Sequence, residues 1–226
     1  MSESKLVESF AFIIGFMFIS IILFMLDGYV LSVWLGINVV LAMVPFILIS
    51  IAYRRFVKKE YTFDWIIIML LIVFVFFLPN TFYILTDMIH INSDDFYKLI
   101  EYGNAEYRDY IEPYILNFHI FISAVIGVFL GVKSLLIWDK MIITKIEDRY
   151  TRGVILVALL ILSSIGIYIG RFLRFFSWEV LNPLKVIPEV LGSIDLFMFT
   201  FVVLFTITQY LLYYGYRLVF EKEPFK

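Results

Sequence analysis

The sequence predicts an all-α, polytopic membrane protein of about six transmembrane helices, with short helical segments at 80–112 and 171–190 on the outer face. Three observations carry this expectation. The chain is 62% hydrophobic and only 17% charged, whereas soluble domains are about half apolar and about a quarter charged. Six apolar stretches, at about 9–26, 29–53, 65–85, 114–138, 153–170 and 191–216, approach or exceed the ~20 residues that a span requires. Lysine and arginine, finally, are segregated between alternate connections. Such a division of 226 residues leaves no room for a separate soluble unit, so the chain reads as one integral membrane domain.

The first stretch follows "MSESKLVESF", which carries acids where a signal peptide has a basic segment, and no small-residue cleavage pattern follows; it reads as a retained span. Pro45 interrupts the second stretch and Pro79 ends the third. Proline in a span requires neighbouring helices or water to satisfy the freed backbone groups, so a kink at Pro45 and a break at Pro79 are expected. Arg54, Arg55, Lys58 and Lys59 follow the second span. Lys140, Lys145, Arg149 and Arg152 follow the fourth, with Lys133 able to snorkel to the same side, and the tail adds Arg217, Lys222 and Lys226. With Lys5, 13 of the 18 basic residues fall on one side. By the positive-inside rule that side is the cytoplasm, which places both termini there. The opposite side keeps Lys98, Arg108, Arg171, Arg174 and Lys185. Its longest connection, 92–113, is acidic, with six Asp or Glu against two basic residues, and its aromatic and aliphatic content suits an interfacial amphipathic segment.

Two polar constellations fall on that outer side. In "FLPNTFYILTDMIH" (77–90) a helical reading puts Asn80, Tyr83, Asp87 and His90 at steps of three, four and three along one stripe, with Thr86 beside it. Polar groups at membrane depth cost several kcal/mol in hydrocarbon, so the stripe must face protein, water or a substrate. In "GIYIGRFLRFFSWEV" (166–180), Arg171 and Arg174 stand three apart and make a fork able to grip a phosphate or carboxylate. Gly166 and Gly170 permit close helix approach there, and Trp178 suits the interfacial belt.

Each constellation also has a purely structural reading. Asn80 caps the helix after Pro79, Asp87 and His90 pair locally, and the arginines snorkel or neutralise Asp87 and Glu179. An Arg–Asp pairing is expected on either reading, because an unpaired acid there is costly. His119, near the same face, joins His90, Asp87, Asp109 and Glu112 as groups of the metal-binding kind, but no fixed ligand spacing is present, and no metal or cofactor is expected. Asn38, Thr206, Thr208 and Gln209 read as interhelical hydrogen-bonding groups, and Asp195 as a further candidate partner for the arginines. The absence of cysteine excludes disulfides, thiolate sites and S-acylation of this chain. No basic block points to nucleic acid.

"INVVLAMVPF" (37–46), "FLPNTFYILTDMIH" (77–90), "GVFLGVKSLL" (127–136) and "GIYIGRFLRFFSWEVLNP" (166–183) occur in that order. Together they resemble the uncharacterised bacterial membrane family called domain of unknown function 1361. The resemblance singles out Pro79, Asn80, Tyr83, Thr86, Asp87, His90, Gly170, Arg171, Arg174, Ser177 and Trp178. It departs at Thr81-Phe82, where the family has Ala-Pro, at Phe176, where an Asn is usual, and at Glu179, where an Asp is usual. It implies a multi-pass protein of the bacterial cell membrane and supplies no activity.

Three functions remain open on this reading. One is an enzyme acting on a lipid or lipid-linked, anionic substrate at the outer leaflet. There Asp87 orients His90 for acid–base work, while Asn80, Tyr83, Thr86, Arg171, Arg174 and Trp178 bind substrate. A second is a substrate-binding or transport component. The third is an accessory or scaffold subunit for another membrane or cell-envelope protein.

Overall fold

The computed structural model describes residues 3–99, 105–175, 179 and 182–220. The chain is an all-α membrane bundle. Helices α1 (Glu3–Asp27) and α2 (Val30–Lys58) meet at a tight turn in which Gly28 adopts φ +70°. The Asp27 carboxylate ties that turn, accepting from the Tyr29 backbone N–H (2.8 Å) and the Ser32 hydroxyl (2.5 Å). Helix α2 runs unbroken through Pro45, which is buried within it, so the sequence does not divide this span. Helix α3 (Trp65–Phe77) is capped by Asp64, whose carboxylate accepts from the Ile67 N–H at 3.0 Å and from Arg55 Nε at 2.8 Å. The Arg55 bond, and then that N–H, hold the Asp64 carboxyl below its ordinary range.

The break at Pro79 is present. After Leu78 the chain restarts as α4 (Pro79–Tyr83) and tightens into a 3₁₀ segment, Ile84–His90. Proline lacks the N–H that would bond the carbonyl four residues back. Side chains serve the neighbouring carbonyls: Asn80 Nδ2 donates to the Phe77 carbonyl (3.1 Å) and Thr81 Oγ1 to that of Leu78 (2.8 Å).

Beyond His90 the expected interfacial helix is replaced. A short turn, Ser93–Asp95, leads into an antiparallel hairpin of β1 (Tyr97–Leu99) and β2 (Ala105–Tyr107), with Tyr97 opposite Tyr107. Facing aromatic pairs stabilise strands, and these two rings lie 6.3 Å apart. Helix α5 (Glu112–Ile143) then recrosses the bundle, followed by α6 (Arg149–Phe172), the short α7 (Pro183–Gly192) and α8 (Leu196–Phe220). Five helical stretches, including Trp65–His90 taken whole, are long and apolar enough to cross a membrane, and Ala11–Asp27 is a shorter apolar helix. The last span begins a few residues later than the sequence suggests, because Asp195 caps α8 through the Met198 N–H (2.7 Å).

Helices α2 and α5 form the buried centre. One core cluster gathers Ile49, Phe56, Phe74, Phe82, Leu135 and Leu160; a second gathers Phe16, Leu35, Val39, Ile84, Ile120 and Ala124. The broken segment supplies Phe82 to the first and Ile84 to the second, so it joins the two halves of the bundle. Polar bonds add to this packing between α6 and α8: Ser163 Oγ donates to Gln209 Oε1 (2.8 Å), and Gln209 Nε2 donates to Ser164 Oγ (2.7 Å).

The broken segment fits because two helices give way to it. A Cβ on Gly166 would lie 2.5 Å from Pro79 Cγ, and one on Gly127 would collide with the Thr81 carbonyl oxygen. Gly153 by contrast faces open space. Gly127→Ala and Gly166→Ala are therefore expected to lower stability by about 1–3 kcal/mol through overpacking. Gly153→Ala should be neutral or stabilising by up to ~1 kcal/mol through helix propensity. Thermal unfolding of the three variants in one detergent tests this, and equal effects at all three positions would refute the close-approach account.

Candidate functional site

The polar side chains of the broken segment meet α6 and α2 in a compact cluster. Asp87 is 2% exposed and Thr86 is 7% exposed. The Asp87 carboxylate forms an ion pair with Arg171 through Oδ1 and accepts from Asn38 Nδ2 at 3.1 Å through Oδ2. Arg171 Nε donates to Thr86 Oγ1 at 2.7 Å, and the Thr86 hydroxyl in turn donates to the Tyr83 carbonyl at 2.6 Å. The guanidinium also lies over the Tyr83 ring, 4.4 Å from its centroid.

Local backbone explains why these groups converge. Thr86 and Asp87 are neighbours in the 3₁₀ segment and both are buried, and one guanidinium reaches both, through Nε and Nη2. Gly170 lets Tyr83 lie against α6: a Cβ there would be 3.3 Å from Tyr83 Cε2. The ring face thus completes the shell around Arg171. One acid and one base cancel, and each carboxylate oxygen has a donor. An arginine paired with a carboxylate and stacked on an aromatic face uses the planar charge well.

The other candidates divide. Asn80 is half-buried and serves the break through the Phe77 carbonyl. His90 is exposed, and no hydrogen bond joins it to Asp87 among the described residues. The expected Asp87–His90 dyad is therefore replaced by Asp87–Arg171: Arg171 and Asn38 occupy the two Asp87 oxygens, and His90, at the end of the 3₁₀ segment, is exposed. His90 instead lines a crevice of about 10 Å³ with Tyr29, Asn92, Asp95, Phe96 and Asn117, room for about one water. Arg174 does not join Arg171 as a fork. It is exposed, with φ +60°, at the end of α6. Trp178 and Ser177 lie outside the described residues. Glu179 pairs with Lys185 at 2.7 Å, and Asp195 caps α8 rather than meeting an arginine.

His119 is 2% exposed and sits apart, between α1 and α5. Its Nε2 lies 3.1 Å from Ser20 Oγ, its ring is 5.5 Å from that of Phe16, and Nδ1 has no hydrogen-bond partner among the described residues. The residue whose role in the cluster the sequence underrated is Asn38. A lone amide in an apolar helix signals a polar contact, but its partner lies 49 positions away. A larger groove, about 710 Å³, runs along the exposed side of α6 from Arg149 to Ile161, towards the opposite end of that helix.

Removing one partner of a buried ion pair leaves an uncompensated charge and costs about 3–5 kcal/mol. Asp87→Asn and Arg171→Met should each destabilise by that order, whereas His90→Gln should change stability by less than ~0.5 kcal/mol. A double-mutant cycle on thermal unfolding checks the pair: additive losses for Asp87→Asn and Arg171→Met would show that the two side chains do not depend on each other.

No curated protein and no solved structure matches the chain. The family model described as a protein of unknown function, DUF1361, matches residues 37–212. That span contains Asn38, Tyr83, Thr86, Asp87 and Arg171, every member of the buried cluster, and leaves α1 outside it. By this match, over more than three quarters of its length, the chain belongs to the DUF1361 family.

Proposed function

We propose that this protein is a non-catalytic accessory or scaffold subunit of the cell membrane, whose Asp87–Arg171 cluster is a structural lock. The observation that carries this reading is that Asp87 and Thr86 are fully engaged within the cluster. Both Asp87 oxygens, the Thr86 hydroxyl and three aspects of Arg171 (Nε, Nη2 and the guanidinium face) are engaged by the protein's own groups. A substrate or reacting proton bound through Asp87 or Thr86 would have to displace one of these contacts, at the cost of an unpaired charge. In this reading the lock fixes the break in the third span, and so fixes the outer face that carries the hairpin. That face, poor in basic residues, is the extracytoplasmic one by the positive-inside rule, and it is where a second membrane or envelope protein docks.

A second reading keeps the enzyme on lipid-linked substrates, because His90 is exposed beside Asn92, Asp95 and Asn117. There His90 acts without Asp87.

Two changes separate these readings in a strain lacking the gene. Replacing the whole lock with apolar groups of similar size (Asn38→Leu, Asp87→Leu and Arg171→Met together) removes the chemistry but retains the packing, an exchange that is often neutral for stability. A scaffold should retain at least half of its cellular function with this triple substitution and all of it with His90→Gln. Loss of function by a stably inserted triple variant would overturn the scaffold reading. Loss with His90→Gln alone would favour the enzyme.

A further inference from the structure

Helix α7 has ten residues, about 15 Å of helix, half of what a span requires. Leu184, Ile187 and Leu191, at i, i+3 and i+7, share one stripe. They are 88%, 54% and 62% exposed, while Val186 turns inward at 8%. The exposed apolar surface continues through Ile194 and Leu196 into the flank of α8 at Phe197 and Phe199. Lys185 bonds Glu179, and its ammonium lies 5.0 Å over the Phe175 ring, which ties the first turn of α7 to the end of α6.

Beside Phe175 stands Arg174. Its backbone is left-handed, φ +60°, where an L residue is strained and glycine is not. Its side chain is exposed, with no hydrogen bond, ion pair or ring contact among the described residues. The corner thus combines a guanidinium that has no partner among the described residues with an apolar face too short to cross the bilayer. A helix of this kind lies in the membrane–water boundary, and a planar guanidinium there suits a phosphate.

We propose that the α6–α7 corner is a phospholipid site: Leu184, Ile187 and Leu191 lie against acyl chains, and Arg174 holds the headgroup phosphate. Continuity with the apolar flank of α8 selects lipid as the occupant, and the exposed charge of Arg174, without a partner among the described residues, selects a phosphate-bearing one. Glu189, also exposed on α7, faces water. This site is independent of the scaffold reading, since it requires no partner protein and no intact lock.

The chain has no cysteine, so single cysteines can be placed and spin-labelled at 184, 187 and 191, and at 185 and 189, in the full-length protein in phosphatidylglycerol vesicles. The first three labels should be relaxed by oxygen and shielded from a water-soluble nickel chelate, and the last two the reverse. Nickel access at 184, 187 and 191 would overturn the proposal. So would shielding from both agents, the sign of a protein partner or a second copy. Native mass spectrometry tests the phosphate contact, with phosphatidylglycerol compared against a phosphate-free galactosyl diacylglycerol. Arg174→Gly relieves the backbone, so it should fold at least as stably while binding phosphatidylglycerol about tenfold more weakly, the order expected for one charge-assisted bond; galactolipid binding should not change. Equal retention of phosphatidylglycerol by wild type and Arg174→Gly would refute it.

Discussion

The fold depends on keeping one carboxylate and one guanidinium together where water is scarce. Asp87 and Arg171 have side chains only 3% and 11% exposed. Either charge alone at that depth would be costly, and even the pair requires further hydrogen bonds to offset desolvation. Two such bonds come from Asn38 on α2 and Thr86 on the 3₁₀ segment, and the Tyr83 ring at the end of α4 adds a cation–π contact. The ion pair therefore specifies how α2, the broken third span and α6 sit relative to one another, which apolar packing alone specifies less sharply.

Geometry at Pro79 and at the glycines makes that arrangement reachable. A straight α-helix through residue 79 would continue the line of α3. The break and the tighter 3₁₀ turn instead let Phe82 and Ile84 enter different core clusters. Gly127 and Gly166 remove the side chains that would stand in the way, and Gly170 admits Tyr83. Apolar shape brings the polar groups to within bonding distance, and the polar groups then fix the shape.

Much of this was legible in the sequence for physical reasons. Hydrocarbon thickness sets span length, so the apolar stretches marked the helices. Proline's missing N–H marked the break at 79, although Pro45 shows that the same residue can sit within a continuous helix. The cost of a bare intramembrane acid marked Asp87 for an arginine. What escaped depended on geometry that residue spacing does not carry. Helical spacing placed His90 beside Asp87, but Arg171 and Asn38 occupy both Asp87 oxygens, and His90, at the end of the 3₁₀ segment, stays exposed on the rim. Arg171 and Arg174 looked like a fork, but α6 ends between them and the left-handed residue points elsewhere. The hairpin at 97–107 was hidden because its aromatic residues serve an interfacial helix and a strand pair equally well.

The distance along the chain between the two charges has a consequence for how the protein is made. Asp87 precedes Arg171 by 84 residues. At ~5–20 residues per second, a ribosome needs about 4–17 s to deliver the arginine after the aspartate. Throughout that interval the third span carries an acid with no basic partner, and Asn38, already synthesised, offers only an amide. The cluster of Asn38, Thr86, Asp87 and Arg171 can therefore close only once α6 has been made. The contacts that fix the broken third span against α6 are thus among the later ones the growing chain can form.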